Sequence, residues 1–262
     1  LGEPFLVRHE IGAARLDDAA RVGDDDVLDP GEHEEVGHRD TRGTGTADDA
    51  QGFGFFSGAG GMAVLSRLTL GEVTDHSATL WRDMPGNLMP ETPADIADIQ
   101  RLSSTAHWDV PVRVGDDTLH LLAFSATPPV FDDAATDRNG RRNHDEIRFW
   151  ADYVTGIKSA RYIYDDAGRR GGLPRGERFV IVGDYNSDPN DGDSFPGAAR
   201  QLLDNSRVRD PQPTSTGAVV ASARQGGANR THVTRPALDT ADFSDDPAPG
   251  NLRVDYALPS KN

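Results

Sequence analysis

No cysteine occurs among the 262 residues, which excludes disulfides, thiolate metal sites and a cysteine nucleophile while leaving the redox compartment open. Lysine is almost as scarce: Lys158 and Lys261 are the only two, so arginine carries nearly all the positive charge. GC-rich coding accounts for that bias. Salt adaptation is the alternative, because a surface rich in Asp and poor in Lys stays hydrated at high ionic strength. Positive charge is itself in deficit, with 27 Lys and Arg against 43 Asp and Glu and a formal net charge of -16. Such a surface repels phosphodiesters and argues against a broad basic face for nucleic acid. Phosphate-ester chemistry on this chain therefore needs a bound cation to supply local positive charge. No apolar run approaches membrane-spanning length and no signal peptide is visible. The chain opens on Leu1 rather than Met, so that second absence says little about export.

What is present suits one globular unit of the α/β class. Hydrophobic residues make up 36% of the chain, enough for a thin core at this length. The run Pro4 to Glu10 reads as a strand ending in a carboxylate. From Gly23 to Gln51 the composition shifts to Asp, Gly, Glu and Thr, which reads as a long acidic surface loop. Asp24, Asp25 and Asp26 lack the alternating acidic positions and central glycine of a calcium loop. Strands are expected at Met62–Leu65, Val110–Val114, Leu119–Phe124, Phe179–Val182 and Leu252–Leu258, with a hairpin turn at Gly115-Asp116-Asp117. Asn143, with Glu146 three residues on, fits a capping box opening a helix whose apolar face is Ile147, Trp150, Ala151 and Val154. A short helix is expected at Ala198–Leu203, then polar loop as far as Asn251. Strands outnumber helices without strict alternation, so the expected architecture is a two-layer β-sandwich flanked by helices.

The segment Ile181-Val182-Gly183-Asp184-Tyr185-Asn186-Ser187-Asp188-Pro189 carries the strongest chemical signal. An apolar strand delivers Asp184 and Asn186 to its carboxyl end, and Gly183 keeps a side chain out of the pocket. Asp184 can orient or deprotonate a water, or bind a metal, and Asn186 can donate a hydrogen bond to a phosphate oxygen. An Asx-turn at a strand end gives the same local pattern.

The Gly-Asp-x-Asn strand end resembles the signature of the endonuclease/exonuclease/phosphatase family, the DNase I-like metallophosphoesterases. Further segments are similar to a bacterial, often secreted subgroup. They are Phe53-Gly54-Phe55, Gly61 to Arg67, Trp81 to Gly86, Arg101 to Ser104, His107 to Pro111, Thr127 to Asp132, Asp137 to Trp150, and Gly250 to Tyr256. Together they run in family order from about Gln51 to the end. The resemblance implies a DNase I-like sandwich, a Mg²⁺ (or Mn²⁺/Ca²⁺) cofactor, a phosphate-ester substrate that includes nucleic acid among its options, no membrane segment, and a secreted protein. It assigns water and phosphate handling to Asp184 and Asn186. It assigns metal binding to Asp255, with Asp184 and with Glu10 at the end of the first expected strand. Strand packing or a salt bridge to Arg253 is the alternative for Asp255, and a surface glutamate the alternative for Glu10. His107 is a candidate phosphate contact, against a histidine bonded to Asp109. Arg141 and Arg142 are a candidate anion site at a helix start, against salt bridges to aspartates. Arg101 is a further candidate for phosphate. Trp81 to Gly86 could border the cleft and stack a base, against core packing for Trp81.

The departures from the family pattern matter as much. Ser125 stands where the resemblance implies a catalytic histidine, and serine carries neither a proton nor positive charge near neutral pH. The implied Asn of a first strand and the Ser-Asp-His of a last strand have no counterpart between Leu1 and Asn262, so terminal strands are expected to be lacking at both ends. Three functions follow. The leading one is a divalent-metal-dependent phosphoesterase, nuclease or phosphatase. The second is a catalytically impaired relative serving as a metal- or phosphate-binding module. The third is a calcium-stabilised extracellular protein, motivated by the acidic loop.

Overall fold

A computed structural model describes residues 6–7, 51–52, 60–131 and 134–261. Glu10, residues 23–50 of the acidic loop and Phe53-Gly54-Phe55 lie outside the described residues. The strands are β1 (Leu6–Val7), β2 (Val64–Leu65), β3 (Thr74–Asp75), β4 (His107–Val114), β5 (Asp117–Ser125), β6 (Arg178–Asp184), β7 (Ala241–Asp242), β8 (Asn251–Leu252) and β9 (Asp255–Pro259). The helices are α1 (Ala94–Ala97), α2 (Arg138–Thr155), α3 (Arg200–Leu203) and α4 (Thr216–Gln225).

Five strands form one mixed sheet in the order β3-β4-β5-β6-β9, while β1 pairs with β2 and β7 with β8. β5 and β6 are parallel, and every other pairing in the large sheet is antiparallel. A parallel pair needs a crossover, and the connection from Ser125 to Arg178 supplies it through α2. The class is α/β, as the sequence leads one to expect. At the β4–β5 hairpin Val114 pairs with Asp117, leaving Gly115 and Asp116 as the two-residue loop. Positive φ at Gly115 (63°) and not at Asp116 fits a type II′ turn.

Strand alternation divides the core into two layers. Leu122, Phe124, Phe179, Ile181, Tyr256 and Leu258 face α2, where Ile147, Trp150 and Val154 meet them along with Trp81. Trp108, Val110, Val112 and Leu121 point the other way and pack with Val64 of β2. Trp81 is a core residue, its indole N–H donating to Asp145 at 2.7 Å.

Three local expectations are corrected. α2 starts at Arg138, after Asp137 with φ of 46°, so Asn143 and Glu146 are interior helix residues and not a capping box. Both are fully buried, and their side chains bond to other parts of the chain. The stretch between α3 and Asn251 is not all loop, because Ser215 caps α4 by accepting the Ala218 N–H. The last strand divides into β8 and β9, with Arg253 and Val254 between them.

Candidate active site

Register decides which candidate residues meet. Ser125 pairs with Asp184 across β5 and β6, and Asp184 pairs with Asp255 across β6 and β9. Residues directly opposite in a sheet project from the same face. Ser125, Asp184 and Asp255 therefore form a row across three adjacent strands, each step about 5 Å. Asp184 shares strand parity with Val180 and Val182, which pack beside the Val64 layer. The row lies on that face, away from α2. Ser125 is buried, Asp184 half-buried and Asp255 exposed, so the row opens to solvent at its β9 end.

Asp184 is a perturbed carboxyl group. Burial first, and the Asp255 carboxylate second, raise its pKa to about 6, against the opposing pull of hydrogen bonds from Asn186. Those bonds are an Asx-turn: the Asn186 N–H donates to Asp184 Oδ1 at 2.8 Å. The turn places Asn186 at φ of 48°. Its amide Nδ2 donates to Asp184 Oδ2 at 3.1 Å and to the Ala126 carbonyl at 2.9 Å. Both amide hydrogens are thus committed. This corrects the expectation that Asn186 donates to a phosphate oxygen; its remaining polar atom is the acceptor Oδ1.

Gly183 has a sharper reason for being glycine than an open pocket. It pairs with Phe124 and has φ of 143°, and a Cβ there would collide with the Phe124 carbonyl oxygen. The close approach of β6 to β5 at that step brings Asp184 beside Ser125.

α2 ties down the loops that leave this row. Asn143 Nδ2 donates to the Thr127 carbonyl at 2.8 Å and to the Tyr185 carbonyl at 2.7 Å. Glu146 accepts from the Ser104 N–H at 2.7 Å, the Ser104 hydroxyl at 2.8 Å and the Thr127 N–H at 2.5 Å. One helix thereby fixes the residues that follow both Ser125 and Asp184. Burial raises the Glu146 pKa, although Arg142 and these hydrogen bonds oppose it. Sequence reasoning misses this pair of positioning residues, and the Asn-x-x-Glu spacing is its visible trace.

On the β9 side, Asp255 follows a turn held by Thr240, whose hydroxyl accepts the Val254 and Asp255 N–H groups at 3.0 Å each. Arg253 pairs with Asp210 at 2.9 and 2.5 Å rather than with Asp255. Asp188, within the same Gly-Asp-x-Asn segment, accepts the Arg253 N–H at 3.0 Å and the Thr234 hydroxyl at 2.7 Å. It anchors the approach to β9.

His107 and Arg142 do not join the row. His107 is fully buried on the α2 face, within 2.5 Å of Ser103 Oγ and 3.0 Å of the Glu146 carbonyl. Burial lowers its pKa to about 3, so it is a neutral core residue that phosphate cannot reach. It is not bonded to Asp109 either; that carboxylate accepts from His120 at 2.7 Å and the Tyr153 hydroxyl at 2.8 Å. Arg142 is buried, donating to the carbonyls of Leu102, Gln51 and Arg101. Its guanidinium is spent on backbone and does not form an anion site with Arg141. Arg141 is half-buried, donates to the Thr136 carbonyl at 2.8 Å and lies over the Phe195 ring. Arg101 sits in an isolated bridge with Leu80, its N–H donating to Gln51 at 2.9 Å. Neither is in strand register with the row.

Among the described residues no group of three His, Asp or Glu side chains is gathered to hold a metal. The row supplies two carboxylates, Asp184 and Asp255, with the Asn186 amide two residues beyond Asp184. These are hard oxygen donors, and a divalent cation would relieve the repulsion that raises the Asp184 pKa. The donor chemistry fits such an ion. No helix among the described residues is long and apolar enough to cross a membrane.

No curated protein matches the chain. Among solved structures, a beta toxin from Staphylococcus aureus is 12% identical with a TM-score of 0.41, covering 76% of this chain and 53% of its own. Sphingomyelinase C from Streptomyces griseocarneus is 14% identical with a TM-score of 0.39, covering 76% and 52%. The chain thus spans about half the length of these structures, and likeness at this level fixes neither activity nor substrate. The family comparison reaches further: the model of the Endonuclease/Exonuclease/phosphatase family matches residues 14–262. The chain belongs to the Endonuclease/Exonuclease/phosphatase family.

Proposed function

We propose that this protein hydrolyses phosphate esters at the row of Ser125, Asp184 and Asp255, with a divalent cation bound to Asp184 and Asp255. Glu10 is a third proposed ligand. The observation that carries this reading is the register of β5, β6 and β9, which puts two carboxylates and a hydroxyl side by side on one face. Family membership supports phosphoric-ester hydrolysis as the reaction class.

Each residue has a role that its surroundings allow. Asp184, whose pKa is raised to about 6 before any cation binds, would be ionised near neutral pH and would position an attacking water by accepting its hydrogen bond. Asn186 holds both carboxylate oxygens of Asp184 in one orientation. Asp255, at the exposed end of the row, contributes the second carboxylate to the cation. Mg²⁺, Mn²⁺ or Ca²⁺ would supply the positive charge that a protein of net charge -16 lacks for an incoming phosphate. Ser125 can donate a hydrogen bond to a phosphate oxygen but cannot protonate a leaving group, so substrates with good leaving groups are favoured. Nucleic acid, as a polyanion, is favoured only where salt screens the acidic surface. Export from the cell belongs to this reading through the resemblance to a secreted bacterial subgroup, and cell fractionation tests it.

The functional test is nitrophenol release from p-nitrophenyl phosphate and bis(p-nitrophenyl) phosphate with Mg²⁺, comparing the native chain with Asp184→Ala. A drop of about 10²-fold or more is expected. Equal rates in both proteins, or none in either, would remove the catalytic role and leave a binding module.

A further inference from the structure

The end of the sheet away from the Ser125–Asp184–Asp255 row carries a concavity lined by positive charge. It has a volume of about 540 Å³ and is lined by Thr155, Arg175, Gly176, Ser206, Arg207 and Lys261. Arg175 and Gly176 precede β6 and Lys261 follows β9, whereas Asp184 and Asp255 lie at the other ends of those strands. The length of β6 separates the two places by about 20 Å.

The charge here runs against the rest of the molecule. In a chain of net charge -16 with only two lysines, three of the six lining residues are cations and none is a carboxylate. Arg207 forms a rigid floor. Its Nη1 donates to the Val154 carbonyl at 2.6 Å, its Nη2 to the Glu177 carbonyl at 3.3 Å, and its guanidinium lies over the Phe179 ring at 5.3 Å. Lys261 is joined to it through its own N–H, which donates to the Arg207 carbonyl at 2.9 Å. Backbone carbonyls satisfy donors without neutralising charge. Among the described residues no ion pair engages Arg175, Arg207 or Lys261. Capping the carbonyl end of α2 accounts for Arg207 Nη1. It does not account for exposed Arg175, for exposed Lys261, or for the cavity between them.

We propose that this cavity binds the phosphate group of a small phosphomonoester, held by Arg175 and Lys261 over the Arg207 floor, with the Ser206 hydroxyl as a further donor. A carboxylate needs one guanidinium, whereas a phosphomonoester dianion matches a cluster of cations. The volume lies in the range of small-molecule sites and exceeds what a bare phosphate fills. The proposal stands apart from the phosphoesterase reading, because it uses none of the residues in the catalytic row.

Isothermal titration calorimetry in EDTA at low salt, with inorganic phosphate and with glycerol 2-phosphate, tests it. EDTA removes any cation that would draw phosphate to the carboxylate row. The native chain is expected to bind both probes at a single saturable site, the ester more tightly. The Arg175→Gln/Lys261→Gln double variant should weaken binding by about tenfold or more, and Asp184→Asn should leave it unchanged. Both substituted side chains are exposed, and an unaltered circular dichroism spectrum and thermal midpoint would show that the double variant is folded. Absence of saturable binding in the native chain, equal affinity in the double variant, or loss only in Asp184→Asn would overturn the proposal. So would binding of inorganic phosphate with exclusion of the ester.

Discussion

Replacing Asp184 by Asn should stabilise the metal-free protein while destroying its proposed activity, and the gain should depend on pH in a defined direction. The native Asp184 pKa is raised to about 6, by burial and then by Asp255, above the value of roughly 3.9 in an unfolded chain. A raised folded-state pKa favours the protonated native form. Its stability contribution is fully present below about pH 3.9 and is lost as pH climbs through about 6. Two pKa units correspond to roughly 3 kcal/mol over that whole window. Between about pH 5 and pH 8 the unfolded carboxyl is already ionised while the native one gives up its proton, so about 1.4 kcal/mol is lost there. The amide that replaces the carboxyl in Asp184→Asn does not titrate. The stability difference between variant and native protein should therefore grow in the variant's favour by about 1.4 kcal/mol from pH 5 to pH 8. Any hydrogen bond lost to Asn186 enters both pH values equally and cancels. Urea denaturation in EDTA at the two pH values measures this. A difference that stays flat with pH, or moves toward the native protein, would refute the argument that Asp184 is a partly desolvated carboxylate facing Asp255.

Other perturbations probe the neighbouring supports. Adding Mg²⁺ at about ten times its dissociation constant should stabilise the native chain by roughly 1.4 kcal/mol, visible as a rise of a few degrees in thermal midpoint. Asp184→Asn should lose most of that rise, and an equal shift in both proteins would place the ion elsewhere. Gly183→Ala should cost about 3 kcal/mol or more, because its Cβ would strike the Phe124 carbonyl at φ of 143°; an unchanged urea midpoint would contradict the close approach of β5 and β6. Glu146→Ala should cost about 3 to 5 kcal/mol, since the Ser104 and Thr127 N–H groups lose a buried acceptor. Differential scanning calorimetry reads that loss, and a change below about 1 kcal/mol would mean that water replaces the carboxylate.

The parts of this site that are legible in the sequence are those whose cause is local. Leu121–Phe124 and Phe179–Val182 are continuous apolar runs because both strands are interior to the sheet and covered on two faces. Gly183-Asp184 at the end of such a run marks the exit of a strand. What the sequence conceals is set by pairing. The residues around Ser125 do not by themselves say that it stands beside Asp184; the family resemblance implies a site position for it, and the parallel register of β5 and β6 pairs the two. Asn143 and Glu146 obey the spacing of a capping box, and their partners Tyr185 and Ser104 lie 42 residues away in each case. The same two residues can cap a helix or sew it to distant loops, and burial alone chooses. α4 escapes notice for the opposite reason, having no apolar face that its pattern could declare, with Val219 and Val220 both exposed. His107 misleads because a polar residue on a strand suggests solvent, whereas here it lies beneath α2 among Phe124, Phe149 and Trp150. The same helix therefore hides one candidate and positions two others. Through Asn143 and Glu146 it holds the loops after both Ser125 and Asp184, so the distance between hydroxyl and carboxylate is governed from the far side of the sheet. The strands put these groups side by side, and α2 holds the loops that leave them.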